Sequence, residues 1–317
     1  MIIIILRIIF IMKTQTNRFE YAAKILLYII AAFLPIWILP LFPLGAEFGR
    51  EVTFAVLIIA AAIFWLLSIL TRGEIRFFLS PVLWAVLLFF LFTALGALFS
   101  TAPFVSAFLA GPVAERLSTI ILGLLLFLLF GNVLRTQGEA WGATLLLIAA
   151  GALSAIINAI QLFFDASIFT YISSFASESP SFNVIGTVNG LALFYTALLS
   201  LILGLLLGKR PKETESSFAQ YFLAAASLPF LINLFLINFL TSWIVLLGVS
   251  IFLFGFAFKD VRARGGMSDI RYWIALVFVA LSIVMIMMRS PIFKSIQIPA
   301  EVAPSFRATL GITKQVF

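Results

Sequence analysis

Glu115 and Arg116 stand side by side just before an apolar run, and their side-chain types suit the binding of a phosphate group. An arginine near a helix end can hold phosphate oxygens through two parallel hydrogen bonds. The same pair is also typical of an interfacial anchor in which Glu115 neutralises Arg116. The sequence leaves both interpretations open.

The loop at residues 164–187 is the longest interior loop, and it contains no Lys or Arg. It carries Asp165 and Glu178, the two carboxylates of the loop that could act as a base. Long loops are often functional, although an acidic residue in such a loop is also commonly just solvated. Asp165 and Glu178 are therefore the candidate bases of this loop.

A glycine-rich segment, Gly186-Thr187-Val188-Asn189-Gly190, follows this loop. Glycine permits close approach of the backbone to a ligand, and the free N–H groups of a helix N-terminus attract anions. Thr187 and Asn189 are also suitable N-cap residues, which by itself accounts for their types. We expect a helix to begin here, with Gly186, Thr187 and Asn189 as candidate substrate contacts.

Two further groups of polar residues lie in an apolar run and in the C-terminal tail. Small and polar side chains share one helix face at Gly151, Ser154, Asn158 and Gln161. Such a stripe favours helix–helix packing, with a substrate path as the alternative. In the tail, Arg307 is one of four basic residues, which suit either an anionic ligand or a translocated segment that escapes the orientation rule.

The composition indicates that all these residues belong to a membrane protein. Apolar residues make up 63% of the 317 and charged residues 10%, with a mean hydropathy of +1.21. A soluble domain has about 25% charged residues. The net charge of +7 lies in short loops, which indicates membrane orientation rather than binding to nucleic acid.

The residue types also exclude several kinds of chemistry. With no Cys and no His, the chain has no disulfide, no thiol catalysis, no zinc–thiolate site and no histidine base. No metal-ligand spacing, nucleotide-binding glycine pattern or catalytic triad is present. We therefore expect no metal and no cofactor.

Nine apolar runs approach the length that crosses a bilayer, which takes about 20 helical residues. They lie at residues 21–43, 52–70, 79–99, 117–134, 141–163, 188–207, 218–238, 240–258 and 272–288. Residues 218–258 contain no charged residue, and as one helix they would be about twice as long as a single crossing requires. We divide them near Asn238–Ser242, where polar side chains can satisfy free backbone groups. The predicted fold is all-α, a polytopic transmembrane helical bundle.

The basic residues predict how this bundle is oriented. With the N-terminus inside, thirteen Lys and Arg fall in inside segments, and two fall in outside loops before the tail. The inside residues are Arg7, Lys13, Arg18, Arg72, Arg76, Arg135, Lys209, Arg210, Lys212, Lys259, Arg262, Arg264 and Arg271. The positive-inside rule therefore places the N-terminus in the cytoplasm and the C-terminus outside. Lys24, within the first span, is close enough to its end to snorkel inward.

The predicted organisation has three segments. Residues 1–20 form a cytoplasmic N-terminal segment, residues 21–288 a single transmembrane domain, and residues 289–317 an extracytoplasmic tail. Residues 1–11 are too short to span, and because Met12 offers a more usual start we expect them to be an over-extended reading frame. The tail begins a helix without a closing signal, as expected of a fragment of a longer protein.

Four segments together form a recognisable pattern. They are FGREVTFAVLI at the second span, GPVAERLSTIILG at the fourth, GTVNGLALF at the sixth and IPAEVAPSFRATLGITKQVF after the ninth. The chain resembles the N-terminal portion of the O-antigen ligase/polymerase family of bacterial glycan-assembly membrane proteins. The likeness extends to the start of that family's large extracytoplasmic loop. Ligases of the family use a histidine in that loop, so residues 1–317 alone are expected to lack catalysis.

The resemblance implies transfer of a glycan from an undecaprenyl-diphosphate carrier to an acceptor hydroxyl on the outer face of the bacterial inner membrane. The acceptor would be a glycan or a lipid. Arg116 and Arg307 would contact the diphosphate, and Glu115 or Glu178 would orient or deprotonate the hydroxyl. Two alternatives stay open: a transporter or lipid-linked oligosaccharide flippase, and a non-catalytic membrane protein. All three have the lipid bilayer as a partner.

Overall fold

The structure, a computed structural model, describes residues 18–36, 46–73, 80–99, 117–164, 188–207, 217–264 and 270–288. These residues form nine α-helices and no strand, which confirms the predicted all-α class. In chain order the helices are α1 (Arg18–Phe33), α2 (Ala46–Arg72), α3 (Pro81–Leu98), α4 (Leu117–Val133), α5 (Gln137–Phe164), α6 (Val188–Leu207), α7 (Ser217–Ile237), α8 (Leu240–Arg264) and α9 (Ile270–Met288).

The long uncharged stretch is divided where the sequence predicts. α7 ends at Ile237 and α8 begins at Leu240. Between them Asn238 has φ 47°, a left-handed conformation that asparagine tolerates better than most residues. Its N–H donates to the carbonyl oxygen of Leu234 at 2.9 Å, which closes the last turn of α7. One asparagine therefore ends α7 and redirects the chain into α8.

Local signals also set the ends of α2 and α3. Gly73 follows α2 with φ 68°, and its N–H donates to the carbonyl of Ile69 at 2.9 Å. α3 begins with Pro81 after Ser80, whose Oγ accepts the N–H of Leu83 at 3.2 Å. Both are cap residues whose type and position are readable from the sequence.

The outer surfaces of the helices are apolar. Leu70 is 77% exposed, Phe92 70% and Met287 80%. Five described helices are long and apolar enough to cross a bilayer: Glu51–Arg72, Pro81–Leu98, Gln137–Phe163, Val188–Leu207 and Ala219–Ile237. Lipid solvates apolar surface that would be costly to expose to water, and helices satisfy their own backbone groups there. The chain is therefore a multi-pass membrane protein.

The described helices fall into two compact units, with the boundary inside α5 between Gly151 and Ala152. In the first unit α2 packs against α1 and α4, and α4 also packs against α3. The core of this unit consists of Ala23, Leu27, Ile30, Phe54, Ile58, Ala61, Leu129, Val133, Leu134 and Ala143. On α1 and on α2 these residues recur every three or four positions, so each of the two helices contributes one face.

The second unit is built around α6. This helix packs against α7 and α8, and α9 packs against α8. Tyr195 on α6 is fully buried, and its ring lies 5.5 Å from that of Phe230 on α7. Near the turn at Asn238, the rings of Phe235 and Trp243 lie 5.3 Å apart. Aromatic contacts thus join the helices of this unit.

Candidate functional site

Only one of the predicted site residues lies in the part of the chain that the structure describes. Asn189 is the second residue of α6, so the helix expected after the glycine-rich segment is present and begins at Val188. The remaining six lie outside the described residues: Glu115, Arg116, Glu178, Gly186, Thr187 and Arg307. Their roles stay predictions.

A polar contact lies in the first turn of α4, the helix that follows Arg116 in the sequence. Thr119 Oγ1 donates to Glu51 Oε1 at 2.8 Å, joining the first turn of α4 to α2. α4 begins at Leu117, the residue after Arg116. The contact therefore fixes the start of α4 against α2 within the first unit.

Nothing in the local sequence pattern predicts this contact, because Glu51 and Thr119 are 68 positions apart. Glu51 belongs to the segment FGREVTFAVLI and Thr119 to GPVAERLSTIILG, so two segments of the family-like pattern meet here. A carboxylate near a helix N-terminus is stabilised by the helix dipole. Chemically, the contact joins a half-buried carboxylate to a hydroxyl in the first turn of α4.

A second polar group lies where α1 begins, α2 ends and α5 begins; we call Glu20, Lys24, Arg72 and Glu139 the ion cluster. Lys24 Nζ lies 2.6 Å from Glu139 Oε1 and 3.2 Å from Glu20 Oε1. Arg72 forms an ion pair with Glu20. Glu20 and Lys24 are only 3% and 4% exposed, so both charges are held inside the unit.

Glu139 also caps α5. Its Oε2 accepts the N–H groups of Arg135 at 3.0 Å and of Thr136 at 3.3 Å. Thr136 Oγ1 in turn accepts the N–H of Glu139 at 3.2 Å, which completes a capping box. Tyr28 on α1 donates its hydroxyl to the Glu139 carbonyl at 3.0 Å. The carboxylate of Glu139 therefore caps the start of α5 and, by pairing with Lys24, holds α5 against α1.

The sequence predicts two parts of the ion cluster, the capping box of α5 and one ion pair within α1. Thr136 and Glu139 have capping-box spacing, and Glu20 and Lys24 are four residues apart, as helical ion pairs are. The pairing of Lys24 with Glu139 has no such signal. The sequence predicts that Lys24 snorkels towards the membrane surface. In the structure its side chain is buried instead, because its ammonium group pairs with the carboxylates of Glu20 and Glu139.

In the second unit, the polar stripe of α5 contacts neighbouring helices as helix-packing residues do. Asn158 Nδ2 donates to Asn233 Oδ1 at 2.6 Å. Asn233 Nδ2 donates to the carbonyl oxygens of Ala155 at 2.7 Å and Pro229 at 2.8 Å. The hydroxyls of Ser154 and Tyr195 lie 3.4 Å apart. Two polar side chains of the stripe, Ser154 and Asn158, thus contact α6 and α7, as the packing interpretation predicts.

Within the described residues, no group of three or more Asp and Glu side chains is arranged to hold a metal ion. No protein-family model, curated protein or solved structure matches the chain. The class of protein therefore follows from the fold alone: an all-helical, multi-pass membrane protein.

Proposed function

We propose that the chain is the membrane domain of a glycan ligase or polymerase of the O-antigen ligase/polymerase type. In this proposal it crosses the bacterial inner membrane nine times, with the N-terminus in the cytoplasm and the C-terminus outside. On the outer face it binds the diphosphate of an undecaprenyl-linked glycan and positions it for transfer to an acceptor hydroxyl. That acceptor is a second glycan or a lipid.

The observation that carries the proposal is the hydrogen bond between Thr119 and Glu51. It joins two of the four segments on which the resemblance rests. These segments are distant in the chain, and a shared site requires them to be close in space. The hydrogen bond lies at the ends of α2 and α4 that the distribution of basic residues predicts to face outwards.

The chemistry required of the site is neutralisation of a leaving group and orientation of an alcohol. In the transfer, the acceptor oxygen bonds to the anomeric carbon while the bond from that carbon to the diphosphate breaks. Arg116 and Arg307 would stabilise the negative charge that develops on the diphosphate. Glu115 or Glu178 would receive the proton of the acceptor hydroxyl. Undecaprenyl diphosphate then leaves.

The flippase alternative receives less support from the described helices. A flippase needs a polar path for the glycan, and polar residues do occur inside the second unit. However, Asn158 donates to Asn233, and Asn233 donates to the backbone carbonyls of Ala155 on α5 and Pro229 on α7. Side chains bonded in this way hold helices together instead of lining a path.

Binding of the carrier is the direct test. The purified full chain is incubated with a photoactivatable undecaprenyl diphosphate analogue, and the labelled fraction is measured against carrier concentration. Arg116→Ala and Arg307→Ala should each weaken binding about tenfold or more, because each removes hydrogen bonds to a charged group. Arg264→Ala, a matched loss of arginine on the side predicted to be cytoplasmic, should bind as the unchanged chain does.

Unchanged carrier binding in both Arg116→Ala and Arg307→Ala would overturn the diphosphate assignment. Membrane insertion of each variant is checked by carbonate extraction, so that loss of binding is separated from loss of the protein. Glu51→Gln retains the shape of the side chain and removes its charge. It should also weaken labelling if the start of α4 is part of the site.

A further inference from the structure

The backbone of α7 is interrupted near its middle by a proline. Pro229 has no N–H, so the helical hydrogen bond from position 229 to the carbonyl of Ala225 is missing, and the proline ring crowds that carbonyl. Two residues earlier, Ser227 Oγ donates to the carbonyl of Ala224 at 2.7 Å. A serine that bonds to a carbonyl of the preceding turn favours bending of the helix. Both features therefore favour a bend of α7 between Ala224 and Pro229.

The second half of α7, residues 230–237, is held by directional contacts with three neighbouring helices. Asn233 is fully buried, and its Nδ2 donates to the Ala155 carbonyl of α5 at 2.7 Å. The Oδ1 of Asn233 accepts Asn158 Nδ2 of the same helix at 2.6 Å. Ring contacts at 5.5 Å and 5.3 Å add the other two helices, pairing Phe230 with Tyr195 of α6 and Phe235 with Trp243 of α8. This half of α7 is therefore fixed in the second unit.

The first half of α7, residues 217–228, packs through a different kind of surface. Ala219, Leu223 and Ala226 are buried and recur every three or four positions, so they form one narrow apolar face. On other sides of this half, Tyr221 is 74% exposed and Leu228 60%. Contacts between small apolar side chains have no preferred direction. They therefore permit a small shift that the hydrogen bonds of the second half resist.

We propose that Pro229 is a hinge, about which the first half of α7 swings while the second half stays fixed to α5, α6 and α8. The proline removes a backbone bond between the two halves, and Asn233, one turn later, anchors the fixed side. Ala219 precedes Pro229 by ten residues, which extend about 15 Å as a helix, so a change of about 20° would displace Ala219 by about 5 Å. Since α7 packs against α6, the swing changes the contact between these two helices. The hinge does not depend on the proposed glycan transfer.

Distances between spin labels, measured by double electron–electron resonance on the full chain in lipid nanodiscs, test the hinge. The chain contains no cysteine, so introduced cysteines carry the only labels. Tyr221→Cys/Leu201→Cys links the first half of α7 to α6, and Ile232→Cys/Leu193→Cys links the second half to the same helix. All four side chains are exposed, so labels fit there without disturbing the core. We expect a narrow distance distribution for the second pair, and for the first pair one that is broader by about 5 Å.

Pro229→Ala restores the missing N–H and separates a hinge from loose packing. Introduced into the Tyr221→Cys/Leu201→Cys chain, it should narrow the distance distribution to the width of the second pair, because the helical bond to the Ala225 carbonyl then joins the two halves. Leu228→Ala, the control at the neighbouring exposed position, should leave the distribution broad. Equal widths of the two label pairs while Pro229 is present would overturn the proposal, and so would an unchanged width in Pro229→Ala.

The anchor on the fixed side is tested separately with Asn233→Leu, which removes the hydrogen bonds to α5 and leaves Pro229 in place. In the Ile232→Cys/Leu193→Cys chain, this variant should broaden the distance distribution, since the second half of α7 is then held by apolar contacts alone. A distribution that stays narrow would contradict the anchoring role of Asn233. If Pro229→Ala does not fold, the two label pairs still decide the proposal, because their comparison requires no change at the hinge.

Discussion

At the residue scale, Glu139 combines two roles in one carboxylate. One oxygen completes the capping box of α5, and the other pairs with buried Lys24. A buried ion pair contributes little net stability compared with apolar residues of the same shape, but removing one partner leaves the other charge uncompensated. The ion cluster therefore makes the packing of α1 against α5 specific.

Lys24→Met should lower the free energy of unfolding by about 3–5 kcal/mol, because Glu139 and Glu20 lose their shared cation inside the unit. Unfolding in detergent by increasing SDS, followed by circular dichroism, measures the change. Arg18→Gln removes a charge of the same sign from an exposed position and should change stability by less than about 0.5 kcal/mol.

The double variant Lys24→Met/Glu139→Leu separates pairing from simple burial. It should be less destabilised than the sum of the two single variants, since neither charge is then left alone. Additive effects would show that Lys24 and Glu139 do not interact, contrary to the 2.6 Å distance between their charged atoms.

At the element scale, polar contacts in the second unit tie α5 to α6 and α7. α7 contains Pro229, which has no N–H and so interrupts the helical hydrogen bonds. Asn233 lies one turn later, and its amide bonds to the Pro229 carbonyl and across to α5. Asn233 thus joins this proline-containing helix to α5.

Asn233→Leu should destabilise the protein by about 1–2 kcal/mol, because hydrogen bonds between membrane helices contribute about this much at most. Asn158→Leu should cost less, since it removes one bond instead of three. SDS unfolding again provides the measurement. Ser227→Ala is the control, because the Ser227 hydroxyl bonds only to the Ala224 carbonyl of its own helix.

The two roles considered for the polar stripe give opposite results in this experiment. A packing role predicts loss of stability in Asn233→Leu. A stripe that lines a substrate path would lose function without losing stability. Unchanged unfolding of Asn233→Leu would therefore return the substrate path to consideration.

At the scale of the whole molecule, the apolar runs predict nine crossings, and the distribution of basic residues predicts that the N-terminus is inside. The chain contains no cysteine, so a single introduced cysteine reports one position without background. Ser174→Cys, in the loop predicted to be outside, should react with a membrane-impermeant maleimide in intact spheroplasts. Ser216→Cys, in a loop predicted to be inside, should react only after permeabilisation.

Reaction of both cysteines before permeabilisation, or of Ser216→Cys alone, would contradict the predicted orientation. The result also bears on the proposed glycan-transfer site, because the Glu51 end of α2 is expected to face outwards.

Much of the architecture follows from the sequence, because its causes are local. Hydropathy alone locates the helices, since a bilayer requires long apolar segments with internally satisfied backbones. The turn at Asn238 is readable because asparagine tolerates a left-handed conformation, and the packing role of the α5 stripe follows from its helical spacing.

Tertiary structure decided which distant polar residues meet. Lys24 and Glu139 are 115 positions apart, Asn158 and Asn233 are 75 apart, and Glu51 and Thr119 are 68 apart. Each residue alone is compatible with an anchor, a cap or a solvated charge. Its partner depends on which helix faces come together, and that is set by the packing of many apolar side chains at once. The sequence by itself therefore determined a membrane bundle, whereas the three-dimensional packing decided which of its charged and polar side chains pair with one another.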